Sequence, residues 1–197
     1  MNIIRKIYRK LRYKDPLREL TRNGNLKYGE DCDLSRMYLQ VLGAERGVLN
    51  VEIGSGCYLM GSINIYSPRG KVKIGNNVFI GHETVLFCYD EVEIQDDVMI
   101  SWGCTLIDTN AHSLKSHERI NDVREWKQGW AHKNWSAVES SKILVEQKSW
   151  IGFNSILMKG VKIGEGSIVA AGSVVTKGCD PYTVIGGNPA VFVKKTV

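Results

Sequence analysis

Val145-Glu-Gln-Lys-Ser-Trp150, Ile151-Gly-Phe-Asn-Ser-Ile156, Leu157-Met-Lys-Gly-Val-Lys162, Ile163-Gly-Glu-Gly-Ser-Ile168, Val169-Ala-Ala-Gly-Ser-Val174 and Val175-Thr-Lys-Gly-Cys-Asp180 follow one another without a break. Cut in sixes, residues 145–180 begin every time on an aliphatic side chain. The fifth place holds Ser149, Ser155, Val161, Ser167, Ser173 and Cys179, always small or β-branched, and the second is often Gly or Ala. A fixed short period of this kind marks a repeat architecture. Six residues suit neither helical spacing nor a single long strand. They suit short strands joined by tight corners, three to a coil. The first position then points into the axis, the fifth fills the space beside it, and small residues let the chain turn. Stacked coils pair as parallel strands about 4.8 Å apart, giving a prism about 24 Å long for five coils.

The same frame extends upstream in blocks of three. Ile53, Leu59 and Ile65 form one block; Ile74, Ile80 and Leu86 the next; Ile94, Ile100 and Leu106 a third. An aliphatic residue two places earlier precedes most block starts: Val72 before Ile74, Val92 before Ile94, Ile143 before Val145 and Val161 before Ile163. Tyr28 to Leu39 is a degenerate candidate for a further coil. Cys57, Cys104 and Cys179 fall at the fifth position as small core fillers, whereas Cys88 is off the register.

The frame breaks once. After Leu106 the next first-position slot falls on His112, and the register resumes at Val145, so residues 112–144 leave the prism. Excursions of this length in a compact domain are usually functional or disordered. Trp126, Trp130 and Trp135, three of the five tryptophans, lie in it. Disordered chain avoids tryptophan, so an ordered arm is expected. Those rings offer either flat faces for a sugar or an apolar base for the arm.

Composition bounds the rest. Of 197 residues, 43% are apolar and 24% charged, a globular balance with no apolar run of membrane-spanning length. The first residues lack the apolar run of a secretory signal. Five cysteines without a CxxC pair argue against a disulfide framework and a structural zinc site, and fit a cytoplasmic setting. Residues 1–27 sum to +7 against a net charge of +5 for the whole chain, leaving −2 for the remainder. The basicity thus belongs to one end, not to a nucleic-acid face. Ile3, Ile4, Ile7, Tyr8 and Leu11 recur between those cations at helical spacing. A short basic amphipathic helix within the segment 1–27 would either lie on an anionic membrane surface or pack on the body, 28–197.

These hexads resemble those of the hexapeptide-repeat, left-handed parallel β-helix acyltransferases, over roughly residues 50–195. The resemblance implies an all-β solenoid of left hand, against the usual handedness of parallel crossovers. It also implies trimers with sites between neighbouring prisms. Leu106-Ile-Asp108-Thr-Asn110-Ala-His112-Ser113 is similar to the His-bearing segment of the maltose, galactoside and virginiamycin acetyltransferases and of surface-polysaccharide O-acetyltransferases, with Ala111 where several relatives carry a polar residue. Gly187-Asn188-Pro189-Ala190, opening the tail 188–197, is similar to the family's closing signature, and Trp150-Ile151-Gly152 to a step lining its acyl tunnel.

By that resemblance His112 is the general base of an acetyl-CoA-dependent transfer to a sugar hydroxyl in cell-surface polysaccharide or lipopolysaccharide assembly. Acetyl-CoA is then a co-substrate, with no tightly bound cofactor and no metal. A histidine of ordinary pKa suits proton removal from an alcohol near neutrality. Asp108 or Glu83 would orient the ring, and Asn110, Trp126 and Trp130 would meet the acceptor. Trp150, Gly152, Ala170, Ala171, Lys177 and Lys194, with Lys195, would meet CoA, and a corner N–H such as that of Gly152 would receive the oxyanion. Two alternatives use the same fold. One is N-acetylation of an amino-sugar nucleotide. The other is a γ-class carbonic anhydrase-like metal site built from His82, His112 and His117.

Overall fold

Each inward aliphatic side chain of the repeat stacks directly on its counterpart in the next coil. In the computed structural model, which describes residues 16–129 and 132–196, three parallel sheets wrap one apolar axis. Strands are numbered in chain order. Sheet A stacks β1 (Leu26–Tyr28), β3 (Val51–Ile53), β6 (Lys71–Ile74), β9 (Glu91–Ile94), β12 (Ile143–Val145) and β15 (Lys162–Ile163). Sheet B stacks β4 (Tyr58–Leu59), β7 (Phe79–Ile80), β10 (Met99–Ile100), β13 (Trp150–Ile151), β16 (Ile168–Val169) and β18 (Thr183–Gly187), closed by the antiparallel β19 (Ala190–Lys195). Sheet C stacks β2 (Tyr38–Val41), β5 (Ser62–Ile65), β8 (Val85–Cys88), β11 (Thr105–Ile107), β14 (Ile156–Leu157) and β17 (Val174–Val175). This is the all-β solenoid expected of the hexads. Ile53, Ile74, Ile94, Val145 and Ile163 pair in one unbroken column. Their side chains are essentially inaccessible to water, and burying each contributes about 1.5–3 kcal/mol.

The corners follow a rule of their own. Asp31, Gly56, Asn77, Asp97, Lys148, Gly166 and Tyr182 all adopt positive φ, one per coil, three residues after the residue that opens the coil on sheet A. Glycine, asparagine and aspartate are the residues that tolerate this conformation, and they fill most of the column. The degenerate coil at Tyr28–Leu39 is present: Tyr28 pairs with Ile53, and Leu39 with Ile63. A further coil opens at Cys179, which pairs with Ile163. Cys179 therefore takes a first-position place rather than the fifth, because the corner after Val175 is two residues shorter than the hexad count requires.

A similar contraction corrects the first block. Leu86 stacks on Ile63, not Ile65, and Ile65 stacks on Cys88. The turn Met60-Gly61 is short, and a Cβ on Gly61 would lie 2.5 Å from the Thr84 carbonyl oxygen. Cys88 thereby finds its place as a fully buried inward side chain, two residues beyond Leu86 on one strand face.

Helix α1 (Pro16–Asn23) lays Leu17 and Leu20 against the first coil. Residues 1–15, most of the basic segment 1–27, lie outside the described residues, and β1 begins at Leu26 within that segment. In the tail 188–197, Asn188-Pro189 is the turn of the β18–β19 hairpin, so the Gly187–Ala190 signature closes the prism end. No helix among the described residues is long and apolar enough to cross a membrane.

Candidate active site

The excursion leaves and rejoins the prism a few residues earlier than the frame suggests, between Thr109 and Ser140 rather than over 112–144. Thr109 and Ser140 form an antiparallel bridge. Asn110 N–H donates to the Glu139 carbonyl at 2.9 Å, and Ser141 N–H to that of Asp108 at 2.8 Å. These bonds make a stem, and the arm beyond it carries α2 (Ser116–Arg119), α3 (Asp122–Gln128) and a 3₁₀ turn at Trp135–Ala137. Trp135 is the arm's foot: it stacks on Tyr89 with centroids 4.7 Å apart and on Tyr66 at 6.2 Å. Both tyrosines directly follow strands of sheet C, β5 and β8, so the ring ties the arm to that edge. The apolar-base reading thus describes Trp135. Trp130 lies outside the described residues.

His112 sits just past the stem, after Ala111 in the left-handed region. Its Nδ1 is hydrogen-bonded to Asp122 Oδ2. Asp122 opens α3, where the helix's positive end favours a carboxylate. The same Oδ2 accepts from Lys133 Nζ at 2.6 Å, and the Lys133 side chain is wholly buried. Burial pulls the Asp122 carboxyl upward, but the hydrogen bonds from Lys133 and then His112 outweigh it and hold it below the ordinary carboxylate value. Trp126 packs its ring 4.9 Å from the imidazole at a 58° tilt. With the proton held on Nδ1 by a carboxylate, Nε2 keeps its lone pair. The His112 side chain is 36% exposed, so the imidazole is half-buried rather than sealed in the core.

Asp122 and Lys133 were not singled out in the sequence. The two carboxylates that were lie elsewhere. Asp108 is fully buried, stacked in the inward column beyond Leu106, and accepts the N–H groups of Tyr89 and Asp90 at 2.8 Å each. Burial, the largest influence, holds its carboxyl above the usual value despite those bonds. It fixes the coil below the stem. Glu83 is an exposed corner residue at positive φ. Asn110 pairs with Glu139 in the stem.

The residues expected to meet CoA fall into two groups. Trp150, Gly152, Ala170 and Ala171 gather at the corner between sheets B and C, with Trp150 donating to Ser101 Oγ at 3.2 Å. Gly152 N–H already donates to the Val169 carbonyl at 2.8 Å. It is a ladder donor and is not free for an oxyanion. Lys177 lines a cavity of about 520 Å³ with Lys162 and Lys195 at the prism end, while Lys194 lies exposed on β19. The histidines of the metalloenzyme alternative diverge: His82 stacks on Trp102, and His117 lies beside Glu118 on α2. Among the described residues no three His, Cys, Asp or Glu side chains group closely enough to hold a metal.

The model of the bacterial transferase hexapeptide (six repeats) matches residues 142–177. Over that segment the chain is similar to the bacterial hexapeptide-repeat transferases. A lipopolysaccharide biosynthesis O-acetyl transferase described as putative, WbbJ of Escherichia coli K12, is 28% identical over 127 residues, 64% of this chain and 62% of its own. A chloramphenicol acetyltransferase of Klebsiella aerogenes is 48% identical over 46 residues, 23% of this chain and 22% of its own. The chain thus spans between about a fifth and three fifths of the length of these relatives. An N-acyltransferase of Bacillus cereus, AntD, crystallised with dTDP and coenzyme A, superposes with a TM-score of 0.64 over 93% of this chain and 90% of its own at 22% identity. That likeness shows the fold.

Proposed function

We propose that this protein transfers an acetyl group from acetyl-CoA to a sugar hydroxyl, with His112 as general base. The observation that carries the proposal is the His112–Asp122 pair, mounted where a hexapeptide-repeat prism is interrupted. Nε2 takes the proton of the acceptor hydroxyl as its oxygen attacks the thioester carbonyl. The imidazolium so formed is stabilised by Asp122. The tetrahedral intermediate then expels the CoA thiolate, which takes that proton from Nε2. A thioester is already activated, so positioning two substrates and one base supplies the catalysis. Trp126 fixes the ring plane and offers its remaining surface to a sugar.

The likeness to the lipopolysaccharide O-acetyl transferase supports a surface-polysaccharide acceptor, handled on the cytoplasmic side with residues 1–27 against the inner membrane. Family resemblance supports a trimer in which Trp150, Ala170, Ala171, Lys177 and Lys194 contribute to the CoA channel. A second acceptor, the neutral amine of an amino-sugar nucleotide, is served by the same base. The dTDP in the Bacillus cereus enzyme's crystal is the reason to test it.

Thiol release from acetyl-CoA across sugars, oligosaccharides and dTDP-linked amino sugars, with wild type and His112→Asn, tests the proposal. Turnover with one acceptor class is expected, falling about 10²–10⁴-fold in His112→Asn with acetyl-CoA binding retained. Equal turnover in the two proteins would overturn it.

A further inference from the structure

We infer that Lys133 is a positioning residue for the base, acting through Asp122. This rests on the reading of His112 as the base of an acyl transfer. A fully buried ammonium is costly unless paired. Lys133 has two kinds of compensation: Asp122 Oδ2 at 2.6 Å, and the faces of Trp126 and Trp135, each with its centroid 5.3 Å from Nζ. Among the described residues its ion pair is with Asp122 alone. Trp126 also packs on the imidazole, and Trp135 is the foot of the arm. One cation therefore links the arm's anchor, the orienting carboxylate and the wall of the base.

Lys133 and His112 share a single oxygen of Asp122. The lysine fixes the carboxylate's rotamer and keeps it ionised, so the proton between Asp122 and His112 stays on Nδ1 and Nε2 stays the base. It also sets how strongly Asp122 holds an imidazolium, since some of the carboxylate's charge is already neutralised. The other charged groups around the site are engaged elsewhere. Glu118 on α2 is held by Ser113 and Lys115, with His117 at 3.9 Å. Glu125 on α3 accepts Asn134 N–H at 3.1 Å. Glu139 on the stem pairs with Asn110 and Lys159.

The test compares Lys133→Met, Asp122→Asn and the double variant in the full chain. In Lys133→Met the acid limb of the kcat/KM profile moves to higher pH, because Asp122 then has only the imidazolium to hold. kcat at neutral pH falls about tenfold, less than the loss for the base itself, while KM for acetyl-CoA is unchanged. The double variant recovers thermal stability by removing the orphaned charge, yet turns over no faster than Asp122→Asn. This separates positioning from folding, and it remains measurable where Lys133→Met alone unfolds. An unmoved acid limb in Lys133→Met, or losses that multiply in the double variant, would overturn the inference. A carboxyl ¹³C titration of Asp122 without substrate reads the relay directly, moving to higher pH in Lys133→Met if the inference holds and staying in place if it fails. That result stands or falls apart from turnover, so failure of the acyl-transfer proposal is recognised separately by an active His112→Asn.

Discussion

A methyl group on Gly152 would sit 2.6 Å from the Ala171 amide nitrogen and 2.8 Å from the Val169 carbonyl oxygen, both backbone atoms of the next coil. Its glycine is required by close approach. At Gly172 the reason differs: φ is +69° and a Cβ would meet nothing within 4 Å. Asn154, the equivalent corner residue one coil earlier, already accepts φ 56°. Gly152→Ala must therefore push neighbouring coils away from each other, at a cost of about 1–3 kcal/mol, whereas Gly172→Asn should fall within about 0.5 kcal/mol of wild type. Thermal melts of the two variants check this, with a loss of several degrees expected for Gly152→Ala alone. Equal melting temperatures would show that the coils separate freely, and the tight stacking inferred at position two would be wrong.

At the scale of the element, the arm is held by chemistry that hexad arithmetic cannot see. The break at His112 was visible because an imidazole stood where Ile, Leu or Val belongs. Asp122 was not, because its partnership with His112 depends on how the intervening residues fold back, and one Asp among several in a polar stretch has no period to mark it. Lys133 likewise looks like a solvated cation until two tryptophans enclose it. Asp122 links the arm to pH. Its folded carboxyl titrates below the ordinary 3.8 because Lys133 and His112 outweigh burial, so its stabilisation is fully present above pH 3.8 and disappears as pH falls through the lower folded value. Asp108 in the stem has the opposite sign: burial raises it, so acid relieves a buried charge there. The arm is thus expected to loosen below pH 3.8 while the stem beneath it stays closed. Hydrogen exchange on α3 compared with β11 (Thr105–Ile107) between about pH 6 and about pH 3 checks this. In Asp122→Asn, α3 should already exchange rapidly at the higher pH. Equal protection of both elements at both pH values would contradict it.

For the whole molecule, nearly every coil was legible because a solenoid repeats its reasons: each first-position aliphatic meets the same neighbours, so the sequence must restate the pattern. The register slipped where a corner contracts, at Met60-Gly61 and after Val175, since a two-residue deletion keeps the inward face of a strand and leaves the apolar pattern intact. Quasi-one-dimensional stacking has a further consequence: each coil depends on its neighbours and not on the arm. β11 and β12 (Ile143–Val145) are held by the coils above and below, through Leu106 on Leu86 and Leu157 and through Val145 on Ile94 and Ile163. The stem residues Thr109 and Ser140 already pair, which places their Cα atoms about 5 Å apart, a span that a two-residue turn closes. Replacing residues 110–139 by Asn-Gly should therefore leave a prism that melts cooperatively with an undiminished β signal in circular dichroism. Loop-closure entropy shifts in its favour by about 0.6 kcal/mol for each halving of the loop. The excised protein should lack the acyl transfer proposed above, because His112, Asp122, Trp126 and Lys133 leave together. A variant that fails to fold would mean that the arm helps build the prism; one that folds and still turns over would place the base elsewhere on the coils.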